Sequence, residues 1–227
     1  MSVIRAGISN TLLNNLVAYW KLDEASGSRA DSKGSHTLSD INTVTQAAGK
    51  HGNAAQFTAA NLERLNLADD ANFRINTNAL TIAGWFYLDS LNENRAIIAK
   101  RAEWVLYVDG ANKPTFNFPG DGTIQTPTAV SSGQWYFVVG WWKNENNAGR
   151  GALYIQVNNG TIYNTGLVNG FANWDTDVNI GAWEEGVNSY TFFWNGRLDS
   201  IGVWRRELTA EERALLYNGG NGRNYPF

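Results

Sequence analysis

The sequence of 227 residues has no cysteine, one methionine, four prolines and only two histidines, His36 and His51. Without cysteine the chain cannot form a disulfide or a thiolate metal site, so a hydrophobic core must stabilise it. Neither histidine lies near a nucleophile motif of the G-x-S-x-G type. Zinc-ligand spacing and a phosphate-binding glycine loop are missing as well. These absences exclude the commonest kinds of catalytic and metal centre.

Strong charge of either sign is missing too. The formal net charge is −3, without the basic patch that nucleic-acid binding requires. No apolar run reaches the length of a membrane span, and residues 1–15 lack the continuous apolar region of a signal peptide. We therefore expect neither nucleic acid nor a membrane as a partner. The same pattern favours synthesis in a host cytoplasm and display on a virion surface, with an extracellular location as the alternative.

Aromatic residues and glycines are abundant: 10 Trp, 9 Tyr, 10 Phe and 23 Gly. Aromatic side chains favour pleated, half-buried surfaces, and glycine and asparagine favour tight turns. Hairpin signals follow two alternating segments, at Asp109-Gly110 and at Asn158-Asn159-Gly160. The length suits one large all-β domain.

One short helix is predicted near the C-terminus, in residues 209–217. Thr209 has the position of an N-cap, and Glu212 stands three residues later as its capping-box partner. Gly219 is expected to end the helix. The apolar side that would pack on a larger body comprises Leu208, Leu215 and Leu216.

Five blocks of the sequence match, in order and in character, segments of a known protein family. They lie at residues 16–23, 49–57, 81–88, 134–142 and 195–220. They read LVAYWKLD, GKHGNAAQF, TIAGWFYL, QWYFVVGWW and NGRLDSIGVWRRELTAEERALLYNGG. In this the chain resembles the LamG-like jelly rolls of the concanavalin A-like lectin/glucanase superfamily. The resemblance implies an all-β, two-sheet antiparallel jelly-roll sandwich with one short C-terminal helix, formed by residues 16–227.

Residues 1–15 are the part that the resemblance does not explain, and we predict an N-terminal arm or a short helix there. Ile4, Ile8, Leu12 and Leu13 can form one apolar stripe. The segment either docks on a neighbouring subunit or folds against its own sandwich, and the second interpretation is favoured.

Catalysis is not expected. Glycosidases of this superfamily carry paired carboxylates on one strand, so that both flank the sugar bond. Here the pairs are adjacent residues, Glu184-Glu185 and Glu211-Glu212, whose side chains project in different directions.

The resemblance also implies a structural calcium ion between the loop after the first strand and the final strand. The matching carboxylates are Asp31 and Asp199, with backbone carbonyls near Gly34 and His36. The alternative is an Asx-turn at Asp31 and an ion pair between Asp199 and an arginine such as Arg205.

Several of the ten tryptophans occupy strand positions of the family and are expected in the core: Trp20, Trp85, Trp135 and Trp204. Trp141 and Trp142 are consecutive on a strand and face opposite sides, which predicts that at least one is exposed.

Better candidates for carbohydrate contact lie at or beside loops rich in Asn, Asp and Glu: Trp104, Trp174 and Trp183. Glu184, Asn188 and Tyr190 are close enough in sequence to Trp183 to supply hydrogen bonds to sugar hydroxyls. Core packing is the alternative for each tryptophan.

Two functional classes remain. The first is a non-catalytic carbohydrate-binding or surface-display protein of a phage virion, in a capsid decoration or a tail. Its partners would be a polysaccharide or glycan and, through residues 1–15, virion or self-assembly partners. The second is a carbohydrate-binding module of a bacterial secreted or cell-surface protein.

Overall fold

A computed structural model describes residues 11–74, 79–145, 150–169 and 174–227. Its strands form two large antiparallel sheets and one separate hairpin. The nine-stranded sheet contains β1 (Leu16–Trp20), β3 (Thr45–Ala48), β4 (Asn53–Phe57), β6 (Ala79–Leu88), β11 (Trp135–Asn144), β12 (Arg150–Val157), β13 (Ile162–Asn164), β14 (Val168–Asn169) and β18 (Gly196–Trp204). The seven-stranded sheet contains β2 (Ser39–Ile41), β5 (Arg64–Leu67), β7 (Arg95–Lys100), β8 (Trp104–Val108), β9 (Pro114–Phe118), β10 (Gly122–Gln125) and β15 (Val178–Ile180).

The remaining elements are short. Strands β16 (Trp183–Gly186) and β17 (Ser189–Thr191) pair with each other as the hairpin. The α-helix α1 spans Ala210–Tyr217, and single 3-10 turns occur at Ala59–Asn61, Ala71–Phe73 and Asn218–Gly220. No helix in the part of the chain that the structure describes is long and apolar enough to span a membrane.

The order of strands in the nine-stranded sheet is β13-β12-β11-β6-β18-β4-β3, with β1 also pairing with β18 and β14 with β12. The other large sheet has the order β10-β9-β8-β7-β15-β5-β2. Many neighbouring strands are distant in sequence, as a jelly roll requires. The predicted two-sheet sandwich with a short C-terminal helix is confirmed.

Strand periodicity distributes the apolar side chains over three layers. On β6, Ile82 and Phe86 point into the core between the sheets, whereas Ala83 and Trp85 point to the outer face of the nine-stranded sheet. Helix α1 covers that outer face through Leu216. A smaller apolar cluster lies on the outer face of the seven-stranded sheet.

The consecutive tryptophans of β11 show this layering, and they correct a prediction. Trp142 packs in the core between the sheets, and Trp141 packs in the outer cluster with its ring 5.0 Å from that of Tyr154. The two rings do face opposite sides, but both are buried because α1 and its neighbours cover the outer side. The prediction that one of them is exposed was wrong.

Local signals at the turns and caps are largely confirmed. Thr209 Oγ1 accepts the N–H of Glu212, and the Glu212 carboxylate accepts the N–H of Thr209, which completes the capping box. Asn158 and Asn159 have φ values of 50° and 53°, as a type I′ hairpin turn requires. The helix ends at Tyr217 as predicted, but the residue in the left-handed cap position is Asn218 (φ 48°) and not Gly219.

Residues 11–15 lie on the outer side of the nine-stranded sheet. Leu12 is fully buried, and its carbonyl accepts the indole N–H of Trp204 at 2.8 Å. Thr11 Oγ1 donates to Glu212 Oε1 at 2.7 Å. These residues thus contact their own domain; residues 1–10, including Ile4 and Ile8, lie outside the described residues.

Candidate functional site

The hairpin of β16 and β17 crosses the outer face of the seven-stranded sheet. The chain leaves β15 through Gly181 (φ 84°), where a Cβ atom would lie 2.5 Å from the Phe57 ring, so only glycine fits. It returns at Phe192, whose φ of 54° is rare for a bulky residue. The N–H of Ala96 on β7 donates to the Phe192 carbonyl at 2.7 Å and fixes this return.

Three half-buried rings form a row on this face, and we call Trp183, Phe192 and Tyr107 the aromatic strip. The ring centroids of Trp183 and Phe192 are 5.1 Å apart, and those of Phe192 and Tyr107 are 5.5 Å apart. The buried residues beneath them are Ala96, Ala99 and Val105. Small side chains on the sheet therefore lie beneath the rings, and each of the three residues remains partly exposed.

Trp174 and Trp183 are both attached to the turn between β7 and β8. The indole N–H of Trp183 donates to the carbonyl of Arg101 at 2.8 Å. The backbone N–H of Trp174 donates to Glu103 Oε1 at 3.1 Å, and its carbonyl accepts from Lys100 Nζ at 3.1 Å. Trp174 is 55% exposed. This turn therefore holds two tryptophans at one end of the strip.

A buried charge network makes the turn rigid. Lys100 Nζ, which is fully buried, lies 2.8 Å from Asp69 Oδ1 and 3.4 Å from Glu103 Oε1. Burial alone would raise the pKa of Asp69, but hydrogen bonds from Lys100 and Arg74 outweigh it and leave this pKa lowered. Breaking a buried pair by removing one partner is costly, so the turn holds Trp174 in a fixed place.

A surface cavity of about 500 Å³ opens beside Phe192, where the chain leaves the hairpin. It is lined by Ala59, Ala60, Glu93, Asn94, Arg95, Phe192, Phe193 and Asn195. The strip thus borders a recess with two aromatic rings, two amides and two charged groups.

The polar residues predicted beside Trp183 have unequal positions. Glu184 is buried, and its Oε1 accepts the N–H of Asn188 at 3.0 Å, so it shapes the hairpin and does not point to solvent. Asn188 is exposed near the hairpin tip. The Tyr190 ring lies under the guanidinium of Arg64, 3.7 Å from its centroid. The structure brings these residues together with Trp183, but only Asn188 presents its side chain freely.

The structure corrects the prediction that Trp104 is a candidate for carbohydrate contact. It is fully buried in the core between the sheets, and its indole N–H donates to the Phe73 carbonyl at 3.2 Å. The residue begins β8, and its side chain points inward there, so its proximity to a loop in sequence gave no exposure. Trp104 has no ring face available for a ligand.

The two carboxylates of the predicted calcium site face hydrogen-bond donors. Asp31 Oδ1 accepts the N–H of Tyr19 and of Lys33, the second closing an Asx-turn. No group of three or more metal-ligand side chains occurs within residues 11–74, 79–145, 150–169 and 174–227.

Asp199 has a similar environment. Its Oδ2 accepts the N–H groups of Lys50 at 2.6 Å and His51 at 3.0 Å, and Oδ1 accepts Ser200 Oγ at 2.7 Å. Burial raises the pKa of Asp199 to about 7, against the opposing effect of these hydrogen bonds. Calcium needs clustered oxygen ligands, and this arrangement of N–H donors does not fit it. Calcium binding at Asp31 and Asp199 stays an untested prediction.

The sequence reasoning missed Phe192, Tyr107 and Arg101. A signal existed for the first: Tyr190, Phe192, Phe193 and Trp194 crowd aromatic rings into five residues, and consecutive strand residues cannot all face one core. Tyr107 and Arg101 have no comparable local signal, because only the folding of the hairpin brings them to Trp183.

Comparison with known proteins agrees with this fold. A family model described as "Concanavalin A-like lectin/glucanases superfamily" matches residues 52–212. The chain belongs to the concanavalin A-like lectin/glucanase superfamily. No curated protein matches the sequence.

Solved structures with this jelly roll are similar over almost the whole chain at low identity. The binding domain of Paraclostridial Mosquitocidal Protein 1 matches at 15% identity and a TM-score of 0.69, covering 92% of this chain and 53% of that one. Domain 4 of the arabinanase AbnA of Geobacillus stearothermophilus, in complex with arabinotriose, matches at 17% and 0.63, covering 92% and 98%. A Trypanosoma rangeli sialidase matches at 12% and 0.65, covering 92% and 34%.

These similarities establish the shared sandwich. The jelly roll described here spans about half of the mosquitocidal binding domain and a third of the sialidase chain. A fold of this kind hosts many functions, so the function must be argued from the site.

Proposed function

We propose that this jelly roll binds carbohydrate without catalysing its cleavage, on the aromatic strip and the adjoining Trp174. The observation that carries the proposal is the row of Trp183, Phe192 and Tyr107, which is partly exposed and lies on a rigid sheet. Sugar rings present apolar C–H faces that pack on aromatic rings, and preorganised rings lose little entropy on binding.

Polar groups beside the strip suit sugar hydroxyls. Asn188 is exposed near the hairpin tip. Asn94 lines the 500 Å³ cavity beside Phe192, and its Oδ1 accepts the N–H of Gly110, which fixes the side chain in place. Amide side chains both donate and accept hydrogen bonds. A ligand that stacks on the strip can therefore also be oriented by directional contacts.

The absence of catalysis is part of the proposal. Glu184 is the carboxylate next to Trp183 in sequence, but it is buried and engaged by Asn188 and, at 3.9 Å, by Arg101. General acid catalysis at a glycosidic bond requires a carboxyl group within reach of the leaving oxygen. The contacts of Glu184 are those of a structural residue.

Similar structures lend support from outside this chain. The arabinanase domain was solved with arabinotriose, and the mosquitocidal structure is that of a binding domain. Their low identity means that ligand and binding residues have to be established for this protein directly.

The test is affinity for a panel of polysaccharides, measured by calorimetry for the wild type and Trp183→Ala. Loss of a central anchor residue is expected to cost about 2 kcal/mol, or about 30-fold in affinity. Trp135→Ala is the matched control, because Trp135 is also half-buried but lies on the nine-stranded sheet, beside Tyr87. Equal losses in both variants, or no binding by the wild type, would contradict the proposal.

Display on a virion is a second, finer proposal, with a secreted or cell-surface module as its alternative. It is supported by the position of residues 11–15 and the final residues Tyr225 and Phe227, which pack on the face opposite the strip. A body attached through the N-terminal segment would leave the strip pointing away from it.

Mass by light scattering, with and without residues 1–10, tests this second proposal. The deletion ends before Thr11 and Leu12, whose contacts belong to the folded domain. A defined oligomer that dissociates on deletion supports assembly through the N-terminal segment. A monomer in both forms contradicts it and favours the isolated binding module.

A further inference from the structure

The most exposed charged side chains around the aromatic strip are carboxylates. Among the cations that contact the strip or its supporting turn, the Lys100 side chain is fully buried, that of Arg95 is 10% exposed and that of Arg101 is 26% exposed. The carboxylates Glu103 and Glu184 are buried, but the side chain of Glu93 is 64% exposed and that of Asp175 is 82% exposed. A ligand approaching the strip therefore meets negative charge first.

Arg95 and Arg74, a further cation near the turn, are each paired with a carboxylate. Arg95 pairs with Glu93 across the cavity wall, and Arg74 Nη2 lies 2.7 Å from Asp175 Oδ1. These pairs are in addition to the contacts of Lys100 described above. Cations held in this way have their charge balanced within the protein and offer little to an incoming anion.

The remaining cations sit beside the hairpin. Arg101 Nη1 lies 3.9 Å from Glu184 Oε1, and Glu185 next to it is exposed. Arg64 places its guanidinium on the face of the Tyr190 ring, with the Nε buried. Arg101 and Arg64 are the cations through which an acidic ligand would be recognised, and the stacking of Arg64 leaves only the edge of its guanidinium for that purpose.

We infer that the ligand is a neutral glycan, without carboxylate or sulfate groups, and that the carboxylate rim discriminates against acidic polysaccharides. The inference rests on the proposed function and names the substrate class of the same site. Juxtaposed like charges oppose binding, and the effect weakens as salt screens them. Stacking and hydroxyl contacts, by contrast, change little with salt.

The experiment compares two sets of probes at low and high salt. The neutral probes are arabinan, galactan and a β-glucan; the acidic probes are polygalacturonate, a sialylated glycan and heparin. Retention of the wild-type protein is measured by affinity electrophoresis at about 20 mM and about 300 mM salt, on either side of the range in which surface charges become screened. We expect retention by at least one neutral probe, changing less than twofold with salt, and none by the acidic probes.

Two charge variants sharpen the result. Glu93→Gln removes an exposed carboxylate of the rim and the partner of Arg95, and it is expected to give weak, salt-sensitive retention by an acidic probe. Glu211→Gln is its matched control, because Glu211 is exposed on α1, on the opposite side of the sandwich. The control is expected to behave as the wild type.

The outcomes separate the two claims. Retention of the wild type by an acidic probe that is lost in both Trp183→Ala and Arg64→Gln would keep the proposed function and overturn the neutral-glycan inference. Absence of binding to every probe in both sets would overturn the proposed function and the inference with it. Neutral binding that depends on Trp183, with acidic binding gained only in Glu93→Gln, supports both.

Discussion

Similar aromatic side chains are buried on one outer face of the sandwich and partly exposed on the other. Outside the nine-stranded sheet, Trp85, Trp141 and Trp204 are covered by α1 and by the chain ends. Outside the seven-stranded sheet, a hairpin packs over the sheet to form the aromatic strip, and the three residues of the strip remain partly exposed. Aromatic content is therefore no guide to a binding site by itself. What covers the rings decides whether they stabilise the fold or remain available to a ligand.

Trp204→Ala removes a buried ring from the outer face of the nine-stranded sheet and should have the largest effect on stability. The ring is fully buried and its indole N–H bonds the Leu12 carbonyl, so truncation leaves a cavity and an unpaired carbonyl. We expect a loss of about 3–5 kcal/mol in the free energy of unfolding, measured by urea denaturation. A loss below about 1 kcal/mol would show that α1 does not seal this face.

Acidity is expected to act on the covered face through Asp199. With a folded pKa of about 7 and an ordinary pKa of about 3.9, the folded state binds this proton more tightly than the unfolded state. The stabilisation is fully present below the unfolded pKa and is lost as the pH rises through the folded pKa. The free energy of unfolding of the wild type, relative to Asp199→Asn, should therefore fall between about pH 4 and pH 7 and level off above.

Asp199→Asn suits this comparison because its amide oxygen can still accept from Lys50 and His51 while its NH₂ donates to Ser200. Effects of other titrating groups cancel in the difference between the two proteins. A difference that does not vary from pH 4 to pH 8 would refute the assignment. Under the proposed function, glycan affinity depends on the opposite face and should not follow this pH profile.

Thr209→Ala removes the N-cap of α1, the helix that covers the outer face of the nine-stranded sheet. Loss of such a cap typically costs about 1 kcal/mol, which thermal or urea unfolding can resolve. Thr209→Ser retains the hydroxyl acceptor and is the control. Should the serine variant lose as much stability as the alanine variant, the methyl packing of Thr209 would matter more than the cap.

Trp174→Ala probes the open face and should have the smallest effect on stability, within about 0.5 kcal/mol, because the ring is more than half exposed. Only the backbone of Trp174 contacts Glu103 and Lys100, and the substitution preserves it. Glycan affinity should nevertheless fall severalfold in calorimetry. Lower stability with unchanged affinity would place Trp174 with the structural tryptophans of the other face.

Much of the fold was predictable because its signals are local. Thr209 with Glu212, and Asn158 with Asn159, specify a cap and a turn through contacts between residues close in sequence. The five strand blocks carried the family resemblance, and the match over residues 52–212 confirms it. The candidate site was only partly predictable. Trp174 and Trp183 were found beside polar loops, whereas Trp104, chosen by the same criterion, lies in the core.

By itself, the sequence determined the strand periodicity, the capped helix and the hairpin turn at Asn158 and Asn159, since each follows from backbone preferences and neighbouring side chains. Only the tertiary structure decided which rings stay exposed. Phe192 meets both Trp183 and Tyr107 because the hairpin folds over β7 and β8, and residues 85 positions apart in the chain, Tyr107 and Phe192, become neighbours. Exposure depends on what lies above a ring, and that contact is between segments whose proximity no local pattern encodes.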